Sequence, residues 1–132
     1  MKYITTYSEF IFENLDRNEL KALEEYADYL FSKLGVSVVF TKHFKERINE
    51  IRSGKEITYD DMVELFKKAY RDAGHEIANL PLETEAVLKD KLSKLNIPFK
   101  IQDDPRGKDH DLVLKTIMRK EKFVTPNPEI II

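Results

Sequence analysis

The chain has 132 residues, 42% apolar and 35% charged, with no cysteine and a net charge of −2 from 22 basic and 24 acidic side chains. That length suits a single domain with one real core, and the apolar share excludes a disordered chain. The missing cysteine excludes a disulfide scaffold, a zinc finger and a thiol nucleophile, and the near-neutral charge means that any nucleic-acid role must come from a local patch.

Residues 1–15 lack the apolar run of a signal peptide, and no segment approaches the roughly 18 apolar residues of a membrane span, so the sequence predicts a soluble chain with no membrane partner. Ile4, Tyr7, Ile11 and Leu15 recur at helical spacing and predict a first helix. A second helix is predicted from Asp16 or Asn18, both good N-caps, through Leu20, Leu23, Tyr26, Ala27, Leu30 and Leu34 to a terminating Gly35. Residues 1–35 hold four basic and seven acidic side chains, which leaves 18 basic and 17 acidic in 36–132. The acidity is therefore concentrated at the start.

Residues 36–40, Val-Ser-Val-Val-Phe, are β-branched and follow glycine, which predicts a strand or an extended link. Thr41 then caps a helix predicted over 42–52 with an apolar stripe of Phe44, Ile48 and Ile51. Thr58 and Asp61 make a capping box, with aspartate in place of glutamate, for a helix reaching Gly74 or a little beyond. Residues 83–95, with Ala86, Val87, Leu92 and Leu95, predict a shorter helix.

The period then changes to two. Ile97, Phe99 and Ile101 alternate with Pro98, Lys100 and Gln102. After turn formers from Asp103 to Gly107, Leu112, Leu114, Thr116 and Met118 alternate with Val113, Lys115, Ile117 and Arg119. This predicts a β-hairpin, and Ile130, Ile131 and Ile132 predict an edge strand that completes the sheet. The expectation is an α+β domain spanning 1–132: helices first, a small antiparallel C-terminal sheet last.

Chemistry concentrates in the helix after Thr41. His43 and Arg47 are one turn apart on one face, opposite Phe44, Ile48 and Ile51, and Arg52 follows. Histidine as a class titrates near neutral pH, and arginine can grip two phosphate oxygens, so the pair suits phosphodiester cleavage. The plain alternative is a solvated helix face beside a cap. A second basic set, Lys115, Arg119, Lys120 and Lys122, lies on the predicted strands. Even spacing puts Lys115 and Arg119 on one face, either as a phosphate-binding surface or as protection of a sheet edge. Three separated histidines without ligand spacing do not suggest a metal, and no glycine-rich phosphate loop or nucleophile elbow is present.

His43, Arg47, Arg52 and Glu64-Leu65-Phe66 make the region 43–68 similar to the early-transcript endoribonuclease of T-even-type phages. That family has a RelE-like toxin fold and cleaves RNA without a metal. The resemblance implies His43 and Arg47 as catalytic residues and matches Arg52 to the family's further basic residue; on that reading the chain's own cations Lys67, Lys115, Arg119 and Lys122 are expected to hold the RNA backbone. It implies no cofactor. Small RelE-like proteins also place helices first and a basic strand-rich sheet last. The likeness departs at Lys67, where the family carries its second histidine, so one of two acid/base groups is missing.

The segment from Tyr7 to Glu13 resembles the head-targeting leaders of phage internal proteins, and Ile11-Phe12-Glu13 fits their Leu/Ile-x-Glu cleavage site. This implies a phage accessory protein acting in the host cytoplasm, packaged in the virion and trimmed after Glu13. The alternative for residues 1–13 is an ordinary first helix. The alternative for the whole protein is a non-catalytic factor in host takeover. In that case the acidic helix 16–34 and the tail 130–132 would be its contacts with a host protein.

Overall fold

The computed structural model describes residues 15–51, 56–105 and 110–132. The leader and the expected first helix up to Asn14, Arg106 and Gly107 of the expected turn, and Arg52 lie outside these residues. The described chain is α+β, with three helices and a mixed six-stranded sheet.

Helix α1 spans Arg17–Ser32. Asp16 opens it with a reciprocal box: its carboxylate accepts from the Glu19 N–H at 2.8 Å, and the Glu19 carboxylate accepts from the Asp16 N–H at 3.2 Å. Leu20, Leu23, Ala27, Leu30 and Phe31 form the buried stripe. Beyond the helix Gly35 has φ 77°, the left-handed conformation that glycine adopts without a Cβ penalty. Strand β1 is Val36–Phe40, and the short helix α2, Lys42–Ile48, follows Thr41. Helix α3 spans Tyr59–Ala78 from the Thr58/Asp61 capping box, one turn longer than the Gly74 boundary.

The remaining elements are strands: β2 Glu85–Asp90, β3 Leu95–Gln102, β4 His110–Leu114, β5 Met118–Arg119 and β6 Glu129–Ile131. The order is β1-β4-β3-β2-β6, with β5 also on β3. β3 is antiparallel to β2, β4 and β5, whereas β1 runs parallel to β4 and β6 parallel to β2. The C-terminal tail is thus an edge strand, as expected.

Three expectations are corrected. The segment 83–95 is strand and turn, not helix. Ala86, Val87 and Leu88 are all buried in succession, as in a strand covered on both faces, and Leu92 is 86% exposed. Lys94 takes φ 65° in the turn. The sheet is mixed rather than antiparallel, and it recruits β1 from the N-terminal half. Finally, the alternation through 112–119 is broken. β4 pairs Leu114 with Phe99, but β5 pairs Met118 with Asn96, so four steps on one strand meet three on the other. That one-residue bulge turns the following side chains to the other face, and Ile117 is fully buried.

The core lies between the helices and one sheet face. Phe40 on β1 meets Phe44 of α2 at 4.7 Å and stacks on Phe66 of α3 at 5.9 Å between ring centroids. Each buried ring contributes roughly 1.5–3 kcal/mol of apolar burial. The acidic helix has a second task at the sheet edge. Asp28 accepts from the Val38 N–H at 2.9 Å and Glu24 from the Phe40 N–H at 2.7 Å. Two carboxylates one turn apart therefore stand in for a neighbouring strand along β1 and blunt an edge that would otherwise recruit one.

Candidate functional site

β1, β2, β4 and β5 all run the same way: β2 and β5 end opposite Leu95, and β1 and β4 end opposite Phe99, four residues along β3. Two basic groups are built on this stepped rim. The first is α2. Thr41 ends β1, accepts from the Phe44 N–H at 3.0 Å, and lies with its hydroxyl 3.0 Å from the Leu114 carbonyl and 3.1 Å from that of Lys115. One side chain thus caps the helix and ties its start to the end of β4. Phe44 and Ile48 are buried beneath the helix, and this turns His43 to solvent.

His43 makes no hydrogen bond or ion pair to the described residues. Arg47 is half-buried. One terminal nitrogen lies 3.8 Å from Glu50, and its Nε is buried with no hydrogen-bond partner among the described residues. Lys42 and Glu46 approach only to 4.0 Å on the exposed surface. The expected pair is therefore brought onto one accessible helix face, with its positions set by packing below.

The second group lines a cleft of about 840 Å³ between α3 and the β2–β3 turn. Lys67 and Arg119, expected from the sequence, meet there with Lys68 and Arg71, which sequence reasoning missed. Asp90, at the end of β2, organises the floor. It accepts from the Lys68 ammonium at 2.9 Å, the Ser93 hydroxyl at 2.7 Å and the Leu92 N–H at 3.2 Å. Burial pushes its carboxyl up, but these bonds and the Lys68 charge outweigh burial and hold it below the ordinary aspartate range. Arg119 Nε donates to the Ser93 carbonyl at 3.1 Å, which ties β5 to the same turn. A signal for this cluster was present: Asp90 and Ser93 bracket a turn between two β-patterned runs. The helix assignment over 83–95 hid it.

Lys115 does not join Arg119. Its ammonium pairs with Glu85 at 3.0 Å, and Glu85 lies on the face opposite Ala86 and the core. The hydrogen bond and charge of Lys115 hold the Glu85 carboxyl below its ordinary value. Arg119, after the bulge, lines the cleft with α3 instead. The expectation that the two share a face is thereby corrected, and the bulge is the reason. Lys122 is exposed on the segment after β5.

The acidic face of α1, an expected contact for a host protein, has Glu24 and Asp28 engaged with β1. Among the described residues, no cluster of histidine and carboxylate side chains could hold a metal ion, and no helix is long and apolar enough to cross a membrane. Comparison with protein families, curated proteins and solved structures finds no match to this chain.

Proposed function

We propose that this chain is a phage accessory endoribonuclease of the RelE-like kind. It would act in the host cytoplasm and cleave RNA by attack of a ribose 2′-hydroxyl. The observation that supports this reading is the solvent face of α2. There an exposed His43 precedes a half-buried Arg47 by one turn, above an apolar stripe that fixes both. Apart from β1, which lies between α1 and α2, the helices precede the strands; that order and the basic rim are compatible with it.

In this mechanism His43 takes the proton of the 2′-hydroxyl, and the oxygen attacks the adjacent phosphorus. The O2′–P bond forms as the P–O5′ bond breaks, leaving a 2′,3′-cyclic phosphate and a 5′-hydroxyl whose proton comes from solvent. Arg47 neutralises charge building on the phosphate oxygens. Arg52, Lys67, Arg119 and Lys122 contact the strand's phosphates, which fixes register rather than sequence. Lys115 could join them only by leaving Glu85. The experiment is cleavage of a mixed RNA in EDTA by the wild type and by His43→Ala. The expected outcome is cyclic-phosphate ends from the wild type and at least a hundredfold loss in the variant, the usual scale of removing a general base. An inactive wild type, or a fully active variant, overturns the reading. A new N-terminus at Asn14 in virion protein would support packaging; an intact Met1 would remove it.

A further inference from the structure

The cleft is polarised along α3. Asp61 and Glu64 face it from the first turns of the helix, and Lys67, Lys68 and Arg71 from the next two. Asp61 already accepts from the Thr58 N–H at 3.0 Å, and Glu64 meets Lys67 at 3.5 Å where the acceptors give way to the cations. The cations differ in availability. Lys68 is held by Asp90 at 2.9 Å, with only 28% and 9% of the two side chains exposed, so it neutralises the floor. The partners of Lys67 and Arg71 are surface carboxylates, Glu64 at 3.5 Å and Asp72 at 2.8 Å. The exposed Lys67 pair holds little net free energy, whereas Asp72 accepts two bonds from Arg71, at 2.8 and 3.2 Å, so an anion at Arg71 must share or displace that fork.

The remaining wall is apolar. Leu65 and Leu95 form buried edges, and Leu92 stands 86% exposed on the turn that borders the opening. At about 840 Å³ the space is within the range of small-molecule sites.

We infer that this cleft binds a nucleotide unit. Its phosphate lies between Lys67 and Arg71, its base lies against Leu65 and Leu92, and an exocyclic amino group of the base donates to Glu64. The chemistry at each end selects the ligand. Two exposed cations, one of them a guanidinium, suit a phosphate dianion or diester. Carboxylates only accept, so the far end must present N–H donors, and the wall between asks for a flat apolar ring. A polyol lacks the charge and the ring; inorganic phosphate leaves the leucines and Glu64 unused. The unit can be a free mononucleotide or part of an RNA strand. In the second case the inference extends the endoribonuclease reading and names where the strand is held.

The test is calorimetric titration of the full-length His43→Ala protein, which keeps the cleft while preventing cleavage at the proposed centre. Adenosine 5′-monophosphate should bind at least tenfold more tightly than inorganic phosphate and more tightly than the uridine nucleotide, whose base lacks an amino group. Arg71→Glu and Lys67→Glu should each weaken the adenosine nucleotide by roughly tenfold or more, the scale of one charge-assisted bond. Glu64→Gln should narrow the adenosine-over-uridine preference, and Leu92→Ser should weaken both. All four side chains sit on the rim of the cleft, and far-ultraviolet circular dichroism checks that the variants fold. An oligoadenylate that binds much more tightly than the mononucleotide assigns the site to RNA; equal affinity assigns it to the free nucleotide. Adenosine nucleotide binding no tighter than phosphate, or unchanged in Arg71→Glu, overturns the inference. Cleavage by the wild type is scored separately, so failure of one reading leaves the other standing.

Discussion

The two basic groups on the rim are built in opposite ways. On α2 the apolar residues below are fixed and the polar residues above are loose: His43 has no partner among the described residues, and Arg47 reaches Glu50 only at 3.8 Å. In the cleft the polar groups themselves are fixed. Asp90 takes three bonds from Lys68, Ser93 and Leu92, and Arg119 closes onto the same turn. The difference separates two jobs. In the proposed reading the imidazole beside an arginine awaits a substrate that supplies the missing partner. The satisfied carboxylate with its part-buried lysine holds backbone together, and in the inferred site its neighbours Lys67 and Arg71 meet the ligand.

The sharpest way to break that contrast is at Asp90. Asp90→Ala strands the Lys68 ammonium in a part-buried position and removes the acceptor for the Ser93 hydroxyl and the Leu92 N–H. The expected loss is about 2–3 kcal/mol in urea unfolding, on the scale of leaving buried polar groups unsatisfied. The loss should bring faster amide exchange in the β2–β3 turn. His43→Ala, by contrast, should stay within about 0.5 kcal/mol of wild type, as surface changes do. Equal effects would mean that the cleft is no more organised than the helix face.

Asp90 also carries a pH signature. Its folded pKa is below the ordinary value of 3.8, so the unfolded state binds its proton first as pH falls. Its stabilisation is therefore complete above the ordinary aspartate value and is lost as pH drops from about 4 through the lowered folded value. In Asp90→Asn that part of the acid limb should flatten, measured by thermal melts from pH 2 to 6. An unchanged limb would show that other carboxylates carry it.

Much of the helical half was legible because its signals are local. Asp16, Thr41 and Thr58 cap as their residue types predict, and the apolar stripes of α1 and α3 follow from spacing within each segment. The sheet was legible only in part. The β3–β4 hairpin shows its period, but the parallel pairing of β1 with β4 joins residues more than seventy positions apart and leaves no local mark. A one-residue bulge leaves none either, so the facing of Lys115 and Arg119 was misread. Of the candidate sites, the α2 pair could be read because one helix turn holds it. The cleft could not, since Asp90, Arg71 and Arg119 come from three elements.

Thr41 offers an intermediate effect, because it belongs to the loose region yet makes fixed bonds. Thr41→Ala removes the cap on the Phe44 N–H and the tie to β4, at an expected cost of about 1 kcal/mol. If α2 is held mainly by this residue and by Phe44, exchange of the α2 amides should rise in the variant while the β2–β3 turn stays protected. A uniform rise across both would mean that the two regions unfold as one unit and that their apparent difference in order is not independent.

The smallest effect is expected at Lys115, and it tests the bulge. Lys115 and Glu85 form an exposed pair on the sheet face away from the helices, where solvent and salt screen the attraction. Lys115→Gln should leave the unfolding midpoint in place. If RNA or a nucleotide is held on the rim and in the cleft, Lys115→Gln should also leave that binding near the wild-type value, whereas Arg119→Gln should weaken it. The comparison is a strong one because unbroken alternation would put both side chains on one face, and then both variants would weaken binding together. Matched losses would mean that the strand past Leu114 presents Lys115 and Arg119 to the same phosphate backbone. Unequal losses follow directly from the extra residue between β4 and β5, which sends one cation to Glu85 and the other to the floor of the cleft.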